Sequence, residues 1–364
     1  MYAVPFCPVL SRIYGRLGMG EWMDDNWRMA ERKNRVMAAA AENWAAERLR
    51  DAGVEVGGPV ERLGARAWSR QFRIPTSVGY VYFKSSPPAF GHEAALTRAL
   101  CEWFPGNVPE VLAIDAGRNW MLTADFGADQ RSMEPERILR ACAEMIPAFT
   151  GIQVNAARRV GELLDLGCPD HRLAVLPGLF DELVSGGGDL ELLIGGPHGL
   201  APEELERLRL LARPFRETCG RLASFALPET VVHADIWRGN FVIAEGGPLV
   251  FDWAESMVAH PFYSLEVIRQ DVRMLSPGDH ASLSRITDVY LDAWGRYGSR
   301  GRLAEAVRLA AAPALVSRAL MWRDAISGLD ERARPRYAGA VADRLRALLR
   351  HPFERSGTSG AAQV

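Results

Sequence analysis

The sequence predicts an α+β chain in two lobes, a small antiparallel sheet carrying one helix followed by a larger, mainly helical lobe. Three observations carry this. Short strand-like segments with period-2 character cluster early, at Gln71–Pro75, Tyr80–Ser85, Glu110–Asp115 and Trp120–Ala124. A single helical stretch, His92 to about Phe104, divides them, its apolar face formed by Ala94, Leu96, Ala99, Leu100 and Trp103. After Gly127 the texture is helical through Leu227 and again over 281–297, 303–326 and 331–349, broken by a short hairpin within Val231–Trp253.

Each early element has its own punctuation. Thr76-Ser77-Val78-Gly79 reads as a hairpin turn and Ala116-Gly117-Arg118-Asn119 as a second. The expected order in the first lobe is strand, strand, helix, strand, strand. Ahead of it, residues 21–52 read as one helix rich in Ala, Glu, Arg and Met, stopped by Asp51-Ala52-Gly53. The Gly-rich stretches 185–188 and 195–199 read as loops between helices, because neither lies between a strand and a helix as a phosphate cradle does. The expected divisions are an N-terminal helical extension over 1–42, a first lobe over 43–124, a second lobe over 125–352 and a disordered tail over 353–364.

Composition narrows the function classes. The 364 residues are 48% hydrophobic and 24% charged, an ordinary globular mixture, with a formal net charge of −2. That charge argues against a nucleic-acid binder. No apolar run is long enough to span a bilayer, and the first twenty residues lack the uninterrupted apolar core of a signal peptide. The five cysteines are odd in number and widely spaced, which gives neither a disulfide framework nor a zinc site. A cytoplasmic protein is the expectation, with no membrane, nucleic-acid or protein partner.

The chemistry-bearing stretch is His233-Ala234-Asp235-Ile236-Trp237-Arg238-Gly239-Asn240, followed by Leu249-Val250-Phe251-Asp252-Trp253. Phe241–Ala244 and Leu249–Asp252 are apolar, with Glu245-Gly246-Gly247-Pro248 as turn material between them. If the turn closes on Ala244 and Leu249, Phe241 lies opposite Asp252, and Asn240 sits beside Asp252 with backbones about 5 Å apart. The loop bearing Asp235 enters the same end. One carboxylate and one amide are oxygen ligands suited to Mg²⁺ shared with phosphate groups. Asp235 is left to face a nucleophile, as an aspartate does when it accepts the proton of an attacking hydroxyl in phosphoryl transfer. The plainer alternative is a capping Asp, a core His and a turn Asn. His233 is expected to buttress the loop by hydrogen bonding.

This stretch resembles the catalytic loop and metal motif of the aminoglycoside phosphotransferase and choline kinase family, small-molecule kinases with a two-lobed, protein-kinase-like fold. That family's loop commonly reads His-Gly-Asp-x₄-Asn, followed after a hairpin by an apolar-Asp-Trp segment; here Ala234 replaces the Gly. The resemblance covers about Val60 to Leu349. It implies Asp235 as catalytic base and Asn240 and Asp252 as metal ligands, with ATP (or GTP) and Mg²⁺ as cofactors. Upstream it implies Lys84, in Val81-Tyr82-Phe83-Lys84, as the phosphate-holding lysine of the third strand, and Glu93 as its partner, with Glu102 the alternative. The backbone of Leu122, Thr123 and Ala124 is expected to read the adenine edge. The loop over the phosphates, Gly64–Ser69, has no Gly-x-Gly-x-x-Gly, so backbone amides near Ser69 are expected to serve. Where the family often has a second Asp downstream, this chain has Ser264, a change expected to be structural.

The function implied is ATP-dependent phosphorylation of a hydroxyl on a small molecule: an aminoglycoside-like antibiotic, a sugar or an amino alcohol. The net charge of −3 over residues 128–364 favours a polycationic acceptor only weakly. Two other classes fit the residues less well. A catalytically silent pseudokinase that binds nucleotide and regulates a partner would be expected to lack one of Lys84, Asp235, Asn240 or Asp252, and all four are present. A two-metal hydrolase would need a further carboxylate or His cluster close in sequence.

Overall fold

The structure is a computed structural model that describes residues 25–65, 69–127, 131–185, 198–329, 334–337 and 339–353. It divides into two units, residues 1–52 and 53–364. In the first, helix α1 spans Asp25–Asp51 without a break, and its Arg48 pairs with Asp51 at 3.0 Å. Residues 21–24 of the expected helix, most of the expected tail and residues 186–197 lie outside the described residues.

The second unit opens with a five-stranded antiparallel sheet, β1 Glu61–Ala65, β2 Arg70–Thr76, β3 Gly79–Ser85, β4 Val111–Asp115 and β5 Trp120–Ala124, in the order β1-β2-β3-β5-β4. Strand β1 is an addition to the expected four. Its residues Glu-Arg-Leu-Gly-Ala offer no period-2 apolar face, and Leu63 is exposed, as an edge strand allows. The β2–β3 hairpin closes at Thr76 opposite Gly79, where φ is +113°, a value that Gly reaches without strain. Phe72 and Phe83 stack across the two strands with ring centroids 4.3 Å apart, which fixes their register.

Helix α2, Glu93–Trp103, starts under the control of Asn119. Asn119 sits in the β4–β5 turn at φ 52°, a conformation Asn tolerates better than other side chains. Its Oδ1 accepts from the Ala94 N–H at 3.0 Å, and its Nδ2 donates to the Phe90 and Ser86 carbonyls at 2.8 and 3.3 Å. One side chain thus ties the first turn of α2 to the sheet.

The remainder is mainly helical: α3 Pro135–Ala156, α4 Val160–Asp165, α5 Leu176–Ser185, α6 Pro202–Leu210, α7 Ala212–Ala223, α8 Phe262–Leu275, α9 His280–Asp292, α10 Arg300–Ser327 and α11 Gly339–Leu349. Between α7 and α8 run β6 Thr230–His233, β7 Phe241–Ala244, β8 Gly247–Val250 and β9 Ser256–Ala259, paired β6 with β9 and β7 with β8. Phe149, Phe180, Phe215, Trp253, Phe262, Tyr290 and Trp294 are fully buried here, each worth about 1.5–3 kcal/mol of burial. Gln153 crosses this core as a buried polar tie, with Nε2 on the Val231 carbonyl at 3.1 Å and Oε1 accepting from Tyr290. Among the described residues no helix is long and apolar enough to cross a membrane.

Candidate active site

Lys84 lies near the end of β3, where alternation buries Val81 and Phe83 and turns Lys84 to the other face. Glu93 is the first residue of α2. The two meet: Lys84 Nζ is 2.5 Å from Glu93 Oε1 and 2.6 Å from Asp252 Oδ1. Ser86 Oγ donates to the other Glu93 oxygen. Glu93 is 1% exposed, Lys84 12% and Asp252 28%. Burial works against the charge on Lys84, but the Asp252 and Glu93 carboxylates hold the ammonium above its ordinary range. Glu102, the alternative partner, lies at the surface facing Arg98.

The loop after β6 is closed by internal hydrogen bonds. His233 is fully buried; its Nε2 reaches the Phe251 carbonyl at 3.1 Å and its Nδ1 accepts the Asp235 N–H at 3.2 Å. Burial pushes this imidazole down to about 4, so it is neutral at pH 7 and holds the loop as expected. Ser264 Oγ accepts from the His233 N–H at 3.0 Å and donates to its carbonyl at 3.2 Å, so this position orders the loop with a hydroxyl. Arg238 is fixed by Asp271 on α8, through its N–H at 3.1 Å and through its guanidinium. Gly239 lies under the Trp237 ring, where a Cβ would come within 2.4 Å of a ring carbon. Asn240 then folds back, its Nδ2 donating to the Asp235 carbonyl at 2.8 Å and to Asp235 Oδ2 at 2.9 Å.

The β7–β8 hairpin corrects the expected register. Glu245-Gly246 alone form the turn, Ala244 pairs with Gly247, and Phe241 lies opposite Val250 rather than Asp252. Gly247 takes φ +115°, and Pro248 is accommodated inside β8, an edge strand where its missing N–H leaves no gap in the ladder. Asp252 therefore falls beyond the ladder. The Phe251 N–H donates to the Asn240 carbonyl at 3.0 Å, and Asp252 turns out of line in the left-handed region at φ 63°. Asn240 and Asp252 remain neighbours at the open end of the hairpin, but through this bend rather than through direct pairing.

Asp235 is perturbed as well. Burial pushes it well above the usual carboxylate range, Glu255 and Asp252 add to the rise, and Arg318 opposes it. Glu255 is raised too, by burial first, with Arg318 opposing. Arg318, on α10, approaches Glu255 only to 3.7 Å. Glu255 Oε2 and Arg318 Nε are buried without a hydrogen-bond partner among the described residues. Sequence reading missed both. Glu255 lies three residues after Asp252 and was within reach of it; Arg318 carries no local signal in a long helix.

Leu122, Thr123 and Ala124 are mid-sheet positions. Leu122 and Thr123 have partners on both sides, and the Ala124 N–H donates to the Glu110 carbonyl at 2.9 Å. Backbone beyond the sheet pairing begins at Asp125. Of the phosphate loop, Ser69 is described, and its Oγ lies 3.5 Å from Gln71 Nε2; residues 66–68 are outside the described residues. Among the described residues no three His, Cys, Asp or Glu side chains gather as a metal cluster. The donors at hand are the Asp252 carboxylate and the Asn240 Oδ1, whose amide nitrogen is occupied by Asp235. That set suits Mg²⁺ completed by phosphate oxygens and water.

A lysine and glutamate joined between sheet and helix, facing an aspartate loop and a short hairpin on a helical lobe, define a kinase-like fold. The chain belongs to the phosphotransferase enzyme family, whose model matches residues 60–306. Solved structures with this fold include a choline/ethanolamine kinase family protein from Mesorhizobium loti, 19% identical with a TM-score of 0.52, covering 82% of this chain and 90% of that one. The choline kinase LicA from Streptococcus pneumoniae is 14% identical with a TM-score of 0.55, over 85% and 98% of the two chains. A macrolide 2'-phosphotransferase type I is 16% identical with a TM-score of 0.50, over 85% and 97%. No curated protein sequence matches the chain significantly.

Proposed function

We propose that the chain transfers the γ-phosphoryl group of ATP, or of GTP, to a hydroxyl of a small molecule, with Asp235 as the base. The observation that carries this is the Lys84 ammonium held between Glu93 and Asp252, beside a loop in which Asn240 fixes the Asp235 carboxylate. Asp235 accepts the hydroxyl proton as the acceptor oxygen bonds to phosphorus and the bond to the β-phosphate oxygen breaks, releasing the nucleoside diphosphate. Its raised carboxyl makes it a stronger base than an exposed aspartate. Lys84 exchanges one carboxylate for nucleotide phosphate, while Glu93 keeps it in place. Asn240 and Asp252 would hold Mg²⁺, which neutralises charge on the phosphates. Backbone past Ala124, starting at Asp125, meets the adenine edge, and Ser69 lies at the phosphate side.

The acceptors named for the fold's neighbours (choline, ethanolamine and a macrolide) give the first panel to try, extended by aminoglycosides, sugars and amino alcohols. The test is ATP consumption by the purified chain against that panel with Mg²⁺, with Asp235→Asn as control. Acceptor-dependent turnover that the variant lacks supports the reading. Nucleotide binding with no turnover on any acceptor would favour the silent, partner-regulating alternative.

A further inference from the structure

We propose that Phe126 is a built-in occupant of the nucleotide's base slot, which the base of ATP or GTP displaces on binding. The proposal rests on the phosphotransfer reading above and concerns how that site admits its nucleotide. Lys84 and Asp252, 2.6 Å apart, mark the phosphate end of the cleft. The residues beside them are aromatic. Tyr82 precedes Lys84 by two on β3, so it shares that face and lies about 7 Å along the strand. It pairs with Thr123, close to the point where the chain leaves β5 for the helical lobe. Phe251 directly precedes Asp252, so one ring comes from the sheet and the other from the helical lobe. A base joined to phosphates at Lys84, with its edge on backbone at Asp125, falls between these two rings.

Phe126 fills that place. Its ring centroid lies 5.8 Å from that of Tyr82 and 4.8 Å from that of Phe251. Phe126 is half-buried while Asp125 and Gly127 on either side are exposed, so the ring turns inward from an exposed piece of chain. The turn that aims it is closed by the Gly127 N–H, which donates to Asp125 Oδ1 at 2.9 Å, with Gly127 at φ +89°. Burial first, and then the Asp125 carboxylate, push the Tyr82 hydroxyl above its ordinary range, which puts this turn beside the Tyr82 ring. The contacts suit an occupant that leaves. Phe72 and Phe83 stack at 9°, whereas Phe126 meets Tyr82 at 41° and Phe251 at 40°, neither stacked nor edge-on. A purine has two flat faces of its own, so it keeps Tyr82 and Phe251 covered as Phe126 swings out to water. A triphosphate without a base meets only the Lys84 end and leaves this ring in place.

The test is isothermal titration calorimetry of the full chain with ATP, GTP and inorganic tripolyphosphate, each with Mg²⁺, on wild type, Phe126→Ala, Phe126→Leu and Lys84→Ala. Breaking two ring contacts ahead of binding costs affinity, so Phe126→Ala tightens the nucleotide, ATP or GTP, by about fivefold or more. Tripolyphosphate binding is unchanged in that variant. Phe126→Leu keeps apolar bulk and serves if Phe126→Ala fails to fold, with an expected gain of about twofold or more. Lys84→Ala weakens all three ligands. Nucleotide binding that depends on Lys84 but is weakened or unmoved in the Phe126 variants overturns this proposal alone, because the ring is then a fixed wall of the site. Tripolyphosphate tightened as much as the nucleotide also overturns it. No nucleotide binding by wild type or by either Phe126 variant overturns the phosphotransfer reading as well.

Discussion

Lys84→Met removes the ammonium while keeping most of the stem, and its cost can be worked from the two carboxylates left behind. Asp252 is more than a quarter exposed and turns to water, so its share falls within the ~0–1 kcal/mol of a surface pair. Glu93 is almost fully buried, and stripping the partner from a buried ion pair costs about 3–5 kcal/mol. The Ser86 hydroxyl remains, and Glu93 can take up a proton, which places the expected loss near the lower bound, about 3 kcal/mol. For a unit of this size that is roughly 5 °C in Tm. The fold survives, and turnover per folded molecule falls about a hundredfold or more. Denaturant unfolding of Lys84→Met, Glu93→Gln and the double variant gives the coupling, expected at about 2 kcal/mol. The pH dependence has a definite sign. Without the lysine, burial leaves the Glu93 carboxyl above its unfolded value, a group whose stability contribution is complete below the unfolded pKa and is lost as pH rises through the folded one. The deficit relative to wild type is therefore greater at pH 8 than at pH 5. A loss under about 1 kcal/mol, an equal loss in the Glu93→Gln background, or a deficit that grows towards acid would refute the buried-pair reasoning.

Asp235→Asn lowers turnover about a hundred- to ten-thousandfold yet raises Tm, because a buried carboxyl held far above its unfolded pKa costs stability at neutral pH; thermal melts beside single-turnover rates check both. The acid limb of kcat/KM lies above the ordinary carboxylate range, shifts to lower pH in Glu255→Gln and to higher pH in Arg318→Gln; a pH–rate profile that neither variant moves contradicts the assignment of the base. ATP raises Tm more with Mg²⁺ than with EDTA, and Asp252→Asn removes that difference while Asp235→Asn keeps it, as differential scanning fluorimetry reads directly. Gly239→Ala forces the Trp237 ring off its seat and costs about 1–3 kcal/mol with a matching loss of turnover, measured by unfolding and by rate.

Much of the site was legible in the sequence because its parts are local or come in fixed order. Lys84 follows a hairpin and precedes a helix, so its meeting with Glu93 needs only β3 and the first turn of α2. His233, Asp235 and Asn240 lie within eight residues and close on one another. What escaped depends on distance or on a small geometric choice. Nothing near Arg318 marks it as the cation beside Glu255, because about sixty residues of strand, helix and turn intervene. Asp271 is likewise an unremarkable acid on α8 until Arg238 is placed beside it. The β7–β8 register slipped by two residues because Gly247 and Pro248 read as turn, whereas an edge strand admits both. Strand β1 was overlooked because an exposed edge has little apolar patterning to show. Asn119 read as a turn residue, but its amide also sets the start of α2 and thereby the position of Glu93.

The left-handed backbone at Asp252 limits which residues can ever occupy that position. A side chain there must satisfy two unrelated demands: a carboxylate that reaches the lysine, and a conformation that β-branched and bulky residues avoid. Asparagine meets the second demand and fails the first, glutamate carries the charge but suits the backbone poorly, and glycine keeps only the bend. Drift at this position is thus channelled: the changes that the chain tolerates structurally are those that silence it, so a descendant that lost activity here would keep its shape.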